Sequence, residues 1–309
     1  MKVVSIVGPT AVGKTDVSIE IAKTFDAEII SGDSMQVYKE LDIGTAKVTE
    51  EEMQGITHYM IDKITPEEDY NVAQFKEDVQ FYINKIHRKG KLPLIVGGSG
   101  LYIQSVLYDY QFIDYTKDEK YRNKLRKRAD EEGNEKLYKE LLKVDPEQAK
   151  KIHPNNVKRV IRALEIYRTT GKPMSEHLEG QSNTPIYNAK IIGLNMERKL
   201  LYERINKRVD EMIKQGLVDE VKGLYEAGLK NHQSMQGIGY KELIPVIEGR
   251  KSLESAIDTL KRNTRQFAKR QLTYFKNKLP VDWYDINENN RTEQYKKIKA
   301  DLAGFLNVK

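Results

Sequence analysis

The chain has 309 residues, 39% hydrophobic and 32% charged, which describes a globular protein with a proper core, built as one large domain or two smaller ones. No apolar run approaches a membrane span, Met1-Lys2-Val3 leads straight into the first strand with no room for a signal peptide, and the absence of cysteine excludes disulfides and thiolate metal sites, so a cytoplasmic enzyme is expected. A net charge of +6 and a pI near 9.0 suit a polyanionic partner.

Val3 to Val7 is a short apolar run that predicts a buried parallel strand, and Asp16 to Thr24 has the apolar spacing of a helix. Between them, Gly8-Pro9-Thr10-Ala11-Val12-Gly13-Lys14-Thr15 matches the phosphate-binding pattern G-x-x-x-x-G-K-[ST] without a mismatch. Glycines let the backbone wrap a phosphate so that successive N–H groups point inward, and the helix N-terminus adds favourable partial charge. Lys14 supplies a mobile ammonium, and the Thr15 hydroxyl a ligand for Mg²⁺ on the phosphate oxygens. Diphosphate or triphosphate binding follows from these residues; which phosphorylated molecule is bound does not.

Ala27 to Asp33 predicts a second strand that delivers Asp33, Ser34, Met35 and Gln36 beyond its carboxyl end, where ligands of open α/β sheets sit. Thr57 to Asp62 is a third strand candidate; Asp62 either organises Mg²⁺ or caps the strand end. Val72 to Lys89 is helical and closed by Gly90. Leu92 to Val96 is a fourth strand running into Gly97-Gly98-Ser99-Gly100, a turn whose small residues either admit a substrate or merely make it tight.

Residues 115 to 180 are heavily charged and lack β-like runs, and Tyr121–Glu131, Glu135–Lys143 and Asn155–Thr170 look helical. The chain therefore divides into an α/β core of residues 1–114 and 186–309 and an all-helical insertion of residues 115–185. The core resumes with a fifth strand, Ala189 to Leu194, and a helix, Leu200 to Gly216. That helix carries Arg204 and Arg208 on one face, where like charges repel unless an anion lies opposite. Helices continue over Val218–Ala227, Tyr240–Glu248 and Leu253–Lys276, with the glycine loop Met235 to Lys241 among them; the end, after Trp283, is polar.

Basic residues cluster at 120–128, at 150–162 and at 261–278, the last interleaved with Phe267, Tyr274 and Phe275. Each cluster alone describes a solvated helix face; three beside a phosphate loop point to nucleic acid.

Four signatures, Gly8 to Thr15, Ser31 to Tyr38, Gly97 to Tyr102, and Gly237 to Lys241 with Lys269 to Thr273, resemble those of the tRNA dimethylallyltransferases and span almost the whole chain. The resemblance implies a P-loop NTPase-like parallel sheet flanked by helices, with an inserted helical subdomain and a helical C-terminal part. It implies that residues 8–15 hold the diphosphate of dimethylallyl diphosphate in place of a nucleotide, assisted by Mg²⁺. The prenyl group then goes to the N6 amine of the adenosine 3′ of the anticodon, in tRNAs reading codons that begin with U. Donor and flipped base would enter one channel from opposite sides. Some eukaryotic relatives add a zinc finger that a cysteine-free chain cannot build, so the shorter bacterial form matches better.

The chemistry suits these residues. An adenine amine is a weak nucleophile and benefits from a base, for which Asp33 is the candidate. Thr10 would donate to the bridging oxygen, while Lys14 and Arg204 or Arg208 stabilise the departing diphosphate. Gln36 suits reading adenine. Contacts to the tRNA anticodon stem-loop are expected from residues 33–36, Ser99, Arg122, Lys158, Arg159, Val160, Ile161 and Arg162. Further contacts are expected from Gln236, Gly237, Ile238, Gly239, Tyr240 and Lys241, and from Lys269, Arg270, Gln271, Leu272, Thr273, Tyr274, Phe275 and Lys276. The rivals are an adenylate isopentenyltransferase acting on free nucleotide, a P-loop small-molecule kinase using ATP, and a non-catalytic RNA-binding protein. A monomer is expected, since no apolar stripe is left unused.

Overall fold

The computed structural model describes residues 1–179 and 184–308. In chain order the elements are β1 (Lys2–Val7), α1 (Lys14–Phe25), β2 (Ala27–Ser31), α2 (Glu50–Met53), β3 (His58–Tyr59), α3 (Val72–Arg88), β4 (Leu92–Gly97) and α4 (Gly100–Leu107). Five helices follow: α5 (Glu119–Glu132), α6 (Asn134–Val144), α7 (Pro146–Ala149), α8 (Val157–Thr170) and α9 (Met174–His177). The chain closes with β5 (Asn188–Asn195), α10 (Arg198–Lys214), α11 (Leu217–Glu226), α12 (Tyr240–Ile247), α13 (Leu253–Lys278), β6 (Asp282–Asp285) and α14 (Arg291–Leu306).

All six strands are parallel, in the order β3-β2-β4-β1-β5-β6. β1 lies between β4 and β5, so the chain leaves β1 and β4 toward opposite sides of a switch point, and a crevice opens beyond their carboxyl ends. The strands are apolar on both faces because both are covered. Val3, Val7, Ile30, Ile95 and Ile191 pack in one core with α3, α4, α11 and α12, while Val4, Ile6, Ile29, Leu94 and Ile192 pack in the other with α1, α10 and α14. α3 is started by Asn71, whose side chain accepts from the N–H of Ala73 (2.9 Å) and Gln74 (3.1 Å), with Gln74 answering at the Asn71 N–H.

The third strand is shorter than its apolar run, because Met60 and Asp62 take positive φ (65° and 51°) and turn the chain out of the sheet. A sixth strand, β6, pairs with β5 although its ends, Asp282 and Asp285, are polar.

Two compact units result: Met1–Tyr108 with Thr184–Lys309, and Asp109–Asn183. The second has its own core of Leu125, Ala129, Leu137, Leu141, Val160, Ile161 and Leu164, drawn from α5, α6 and α8.

Candidate active site

The phosphate loop is shaped by three unusual backbone positions. Gly8 (φ 149°) passes so close to β5 that a Cβ would lie 2.6 Å from the Leu194 carbonyl oxygen, Gly13 (φ 98°) turns the chain into α1, and Ala11 is left-handed at φ 64°. An alanine in that conformation costs about 1 kcal/mol, a strain typical of ligand-gripping loops. The loop is braced from α13: Gln271 Oε1 accepts from the Thr10 N–H (2.9 Å) and its Nε2 donates to the Gly98 carbonyl (3.1 Å). Gly98 leaves room for this brace, since a Cβ there would sit 2.1 Å from Gln271 Nε2.

Lys14 folds back over the loop and donates from Nζ to the carbonyls of Gly8 (3.1 Å) and Pro9 (2.8 Å). Burial, with help from the Arg208 charge, lowers its pKa to about 8 against a smaller opposing pull from Asp33. Arg208 is itself pushed down, first by burial and then by Arg204. A chamber of about 190 Å³ gathers Lys14, Thr15, Arg204 and Arg208 around the loop, so both arginines face it. Three cations held together, Lys14 and Arg208 at a cost from burial, suit a polyanion.

A second chamber of about 350 Å³ adjoins the first, and the two share Thr10, Ala11, Asp33, Thr45, Ala46, Arg208 and Phe267. Its walls are largely apolar, with Ile205, Val209 and Met212 from α10 and Leu260 and Phe267 from α13, and it is edged by Ser34, Met35, Ser99 and residues 236–241. Asp33 stands at the junction. Its Oδ1 accepts from the Met35 N–H (2.8 Å), and burial outweighs that bond and the Lys14 charge, raising its carboxyl above the usual range. A carboxylate with a raised pKa accepts a proton more readily.

Among the described residues no group of three or more His, Cys, Asp or Glu side chains could hold a metal ion. The polar chamber is instead lined by Thr15, Asp16 and Glu52, of which Asp16 also pairs with Arg291 (2.7 Å) and Glu52 accepts from the Thr49 N–H (2.9 Å). That hard, sparse oxygen set fits Mg²⁺, which takes most of its ligands from phosphate and water.

Several residues expected at an RNA surface have other work. Val160 and Ile161 are buried in the core of the helical unit and hold α8 in place. Arg122 is bound to the fully buried Glu165 carboxylate (2.8 Å), so its guanidinium is committed. Tyr240 and Phe275 are fully buried, Leu272 packs against the second core, and Gln271 is the brace just described. The Gln36 amide offers no free edge to adenine: its Oε1 accepts from Ser31 Oγ (2.8 Å) and its Nε2 donates to the Thr45 and Ala46 carbonyls (3.3 Å each). Asp62 pairs with Lys47 and does not line the phosphate chamber. By contrast Lys158, Arg159 and Arg162 are exposed, and Lys269, Arg270 and Thr273 line an open surface along α13, where Tyr274 instead donates its hydroxyl to Gln104 Oε1 (2.5 Å). Lys276 stacks its ammonium over Trp283.

The sequence did not reveal the apolar lining Ile205, Val209 and Met212, although its spacing places it on the Arg208 side of α10.

Fold and site together define a P-loop α/β protein whose phosphate loop opens onto an apolar chamber with a carboxylate at the threshold. The IPP transferase family model matches residues 36–278, and the chain belongs to that family. It is 58% identical to a tRNA dimethylallyltransferase of Bacillus cytotoxicus over 308 residues, covering 100% of this chain and 96% of the relative. A Bacillus anthracis relative of the same name is 56% identical, with 100% and 97% covered. Among solved structures, a tRNA isopentenylpyrophosphate transferase of Bacillus halodurans superposes with TM-score 0.75 at 47% identity, covering 99% of this chain and 97% of that one. A eukaryotic dimethylallyltransferase acting on tRNA gives TM-score 0.82 at 32% identity, covering 100% of this chain and 80% of that one.

Proposed function

We propose that this chain transfers the dimethylallyl group of dimethylallyl diphosphate to the N6 amine of the adenosine 3′-adjacent to the anticodon, in tRNAs reading codons that begin with U. The observation that carries this is the junction of a cationic chamber with an apolar one at Asp33. Residues 8–15 and Lys14 grip the diphosphate and the five-carbon chain lies against the apolar wall, so the carbon to be attacked falls at the shared boundary.

There the N6–carbon bond forms as the carbon–oxygen bond to diphosphate breaks. The N6 proton passes to the Asp33 carboxylate, and the bonding electron pair leaves with the diphosphate. Lys14, Arg204, Arg208 and the loop N–H groups stabilise the charge that develops, with the Thr10 hydroxyl directed at the bridging oxygen. Mg²⁺ held by Thr15 would supply further charge neutralisation on the diphosphate.

Lys158, Arg159, Arg162, Lys269, Arg270 and Thr273 contact the tRNA, with Ser34, Met35, Ser99, residues 236–239 and Lys241 around the target base. The enzyme acts as a cytoplasmic monomer; among the described residues no helix is long and apolar enough to cross a membrane.

Incubation with tRNA and dimethylallyl diphosphate labelled in the prenyl group tests this. Label is expected on tRNA; label on free AMP, or phosphoryl transfer from ATP with no prenylation, overturns the proposal.

A further inference from the structure

Four donors converge on one carboxylate that the chemistry above does not use. Glu220, in α11, accepts from the backbone N–H groups of Asp42 (3.1 Å), Ile43 (2.7 Å) and Gly44 (3.0 Å) and from the Tyr240 hydroxyl (2.6 Å). Three consecutive amides and a phenol need a side chain that only accepts, through two oxygens; a carboxamide would turn an NH₂ group onto some of the same donors.

The loop so gripped is a wall of the site. Gly44, Thr45 and Ala46 line the apolar chamber, and Thr45 and Ala46 the polar one as well. Gly44 lies flat on the Tyr240 ring, where a Cβ would come within 2.5 Å of two ring carbons. At the loop's far end Lys47, its side chain 6% exposed, pairs with Asp42 and Asp62 and donates to the Tyr38 carbonyl (3.0 Å).

What this fixed loop holds is the Gln36 amide, through the Thr45 and Ala46 carbonyls. Gln36 in turn receives the Ser31 hydroxyl, and Ser31 Oγ accepts from the Asp33 N–H (3.3 Å). Hydrogen bonds therefore run without a break from α11, through loop 42–46, Gln36 and Ser31, to the turn that presents Asp33.

We propose that Glu220 is a positioning residue for the transfer: by clamping loop 42–46 against Tyr240 it fixes the Gln36 amide and, through Ser31, the Asp33 turn. It touches no reacting atom. Its effect is on orientation, where a displacement near 1 Å costs about a hundredfold in rate. The proposal rests on Asp33 acting as the base. Because the phosphate loop is braced separately by Gln271, its grip on the diphosphate, the main anchor of the donor, is spared when Glu220 is changed.

The test compares kcat, the donor KM and thermal unfolding for Glu220→Gln, Gln36→Ala and the double variant, under conditions where each is folded. Glu220→Gln is expected to lower kcat about tenfold or more, with the donor KM within about threefold of the parent. Because both residues act through one relay, the double variant is expected to lose little more than the worse single variant. A Glu220→Gln kcat within about twofold of the parent, or losses that multiply in the double variant, would overturn the proposal.

If Glu220→Gln does not fold, Tyr240→Phe takes its place in the cycle, since it removes one of the four donors and keeps the ring over Gly44. It is expected to lower kcat about threefold or more and to couple to Gln36→Ala; an unchanged kcat overturns the proposal. Asp33→Asn keeps the two claims apart. A fully active Asp33→Asn removes the base assignment whatever Glu220 does, whereas the relay is judged by the coupling of Glu220 and Gln36.

Discussion

Replacing Lys14 by methionine should make the ligand-free protein more stable at neutral pH while removing its function. The ammonium is held in the loop against burial and the nearby Arg208 charge, which bring its pKa from 10.5 to about 8. A lysine whose folded pKa is depressed costs stability wherever both states carry the proton, below about pH 8, and the cost fades as pH rises through the window from about 8 to 10.5. That interval corresponds to about 3 kcal/mol. Against it stand the two hydrogen bonds to the Gly8 and Pro9 carbonyls, worth about 1 kcal/mol together when made in a wet cleft. The balance favours Lys14→Met by about 1–2 kcal/mol at pH 7, and Tm rises by roughly 2–4 °C per kcal/mol. Near pH 10.5 the advantage should vanish or reverse.

Thermal unfolding at pH 7 and pH 10, with and without inorganic diphosphate, reads all of this. Diphosphate should raise the Tm of the parent and leave the variant almost unmoved, because ligand stabilisation follows affinity. A variant less stable than the parent at pH 7 without ligand, or a difference that ignores pH, would refute the reasoning.

Asp33→Asn should lower kcat by about a hundredfold or more while tRNA affinity holds, and in the parent kcat should fall as pH drops through a value above the ordinary 3.8, because burial raises this carboxyl; equal losses in kcat and tRNA affinity would remove Asp33 from the proton transfer. Arg122→Leu leaves the Glu165 carboxylate buried without its partner and should destabilise the helical unit by about 3–5 kcal/mol in a denaturant titration. An intact unit with weakened tRNA binding would return Arg122 to the RNA surface. Replacing Lys158, Arg159 and Arg162 by alanine should change stability by about 0.5 kcal/mol or less, weaken tRNA binding and flatten its salt dependence. An unchanged salt slope would mark these side chains as merely solvated.

Much of this was legible from local sequence. The loop at residues 8–15, its strand and its helix are where the pattern put them, because all of their determinants are neighbours in the chain. Helical spacing also sufficed to bring Arg204 and Arg208 to one side, and both face the phosphate chamber. What spacing cannot show is the partner supplied from far away. Gln36 looked free to read a base because Thr45 and Ala46 reach it only when loop 42–46 folds over it, and that loop is set by Glu220, well over a hundred residues on. Val160 and Ile161 were drawn toward the RNA by the basic residues around them, although their spacing to Ala163 and Leu164 marks the buried side of α8. β6 escaped notice because Asp282 and Asp285 frame it and only its pairing with β5 makes it a strand.

The most direct test is a crystal structure with a non-reactive analogue of dimethylallyl diphosphate. The diphosphate should lie within residues 8–15, with Lys14 lifted from the Gly8 and Pro9 carbonyls onto its oxygens. The chain should lie along Ile205, Val209 and Phe267, with its first carbon beside Asp33. A diphosphate bound elsewhere, or a chain pointing away from Asp33, would contradict the account.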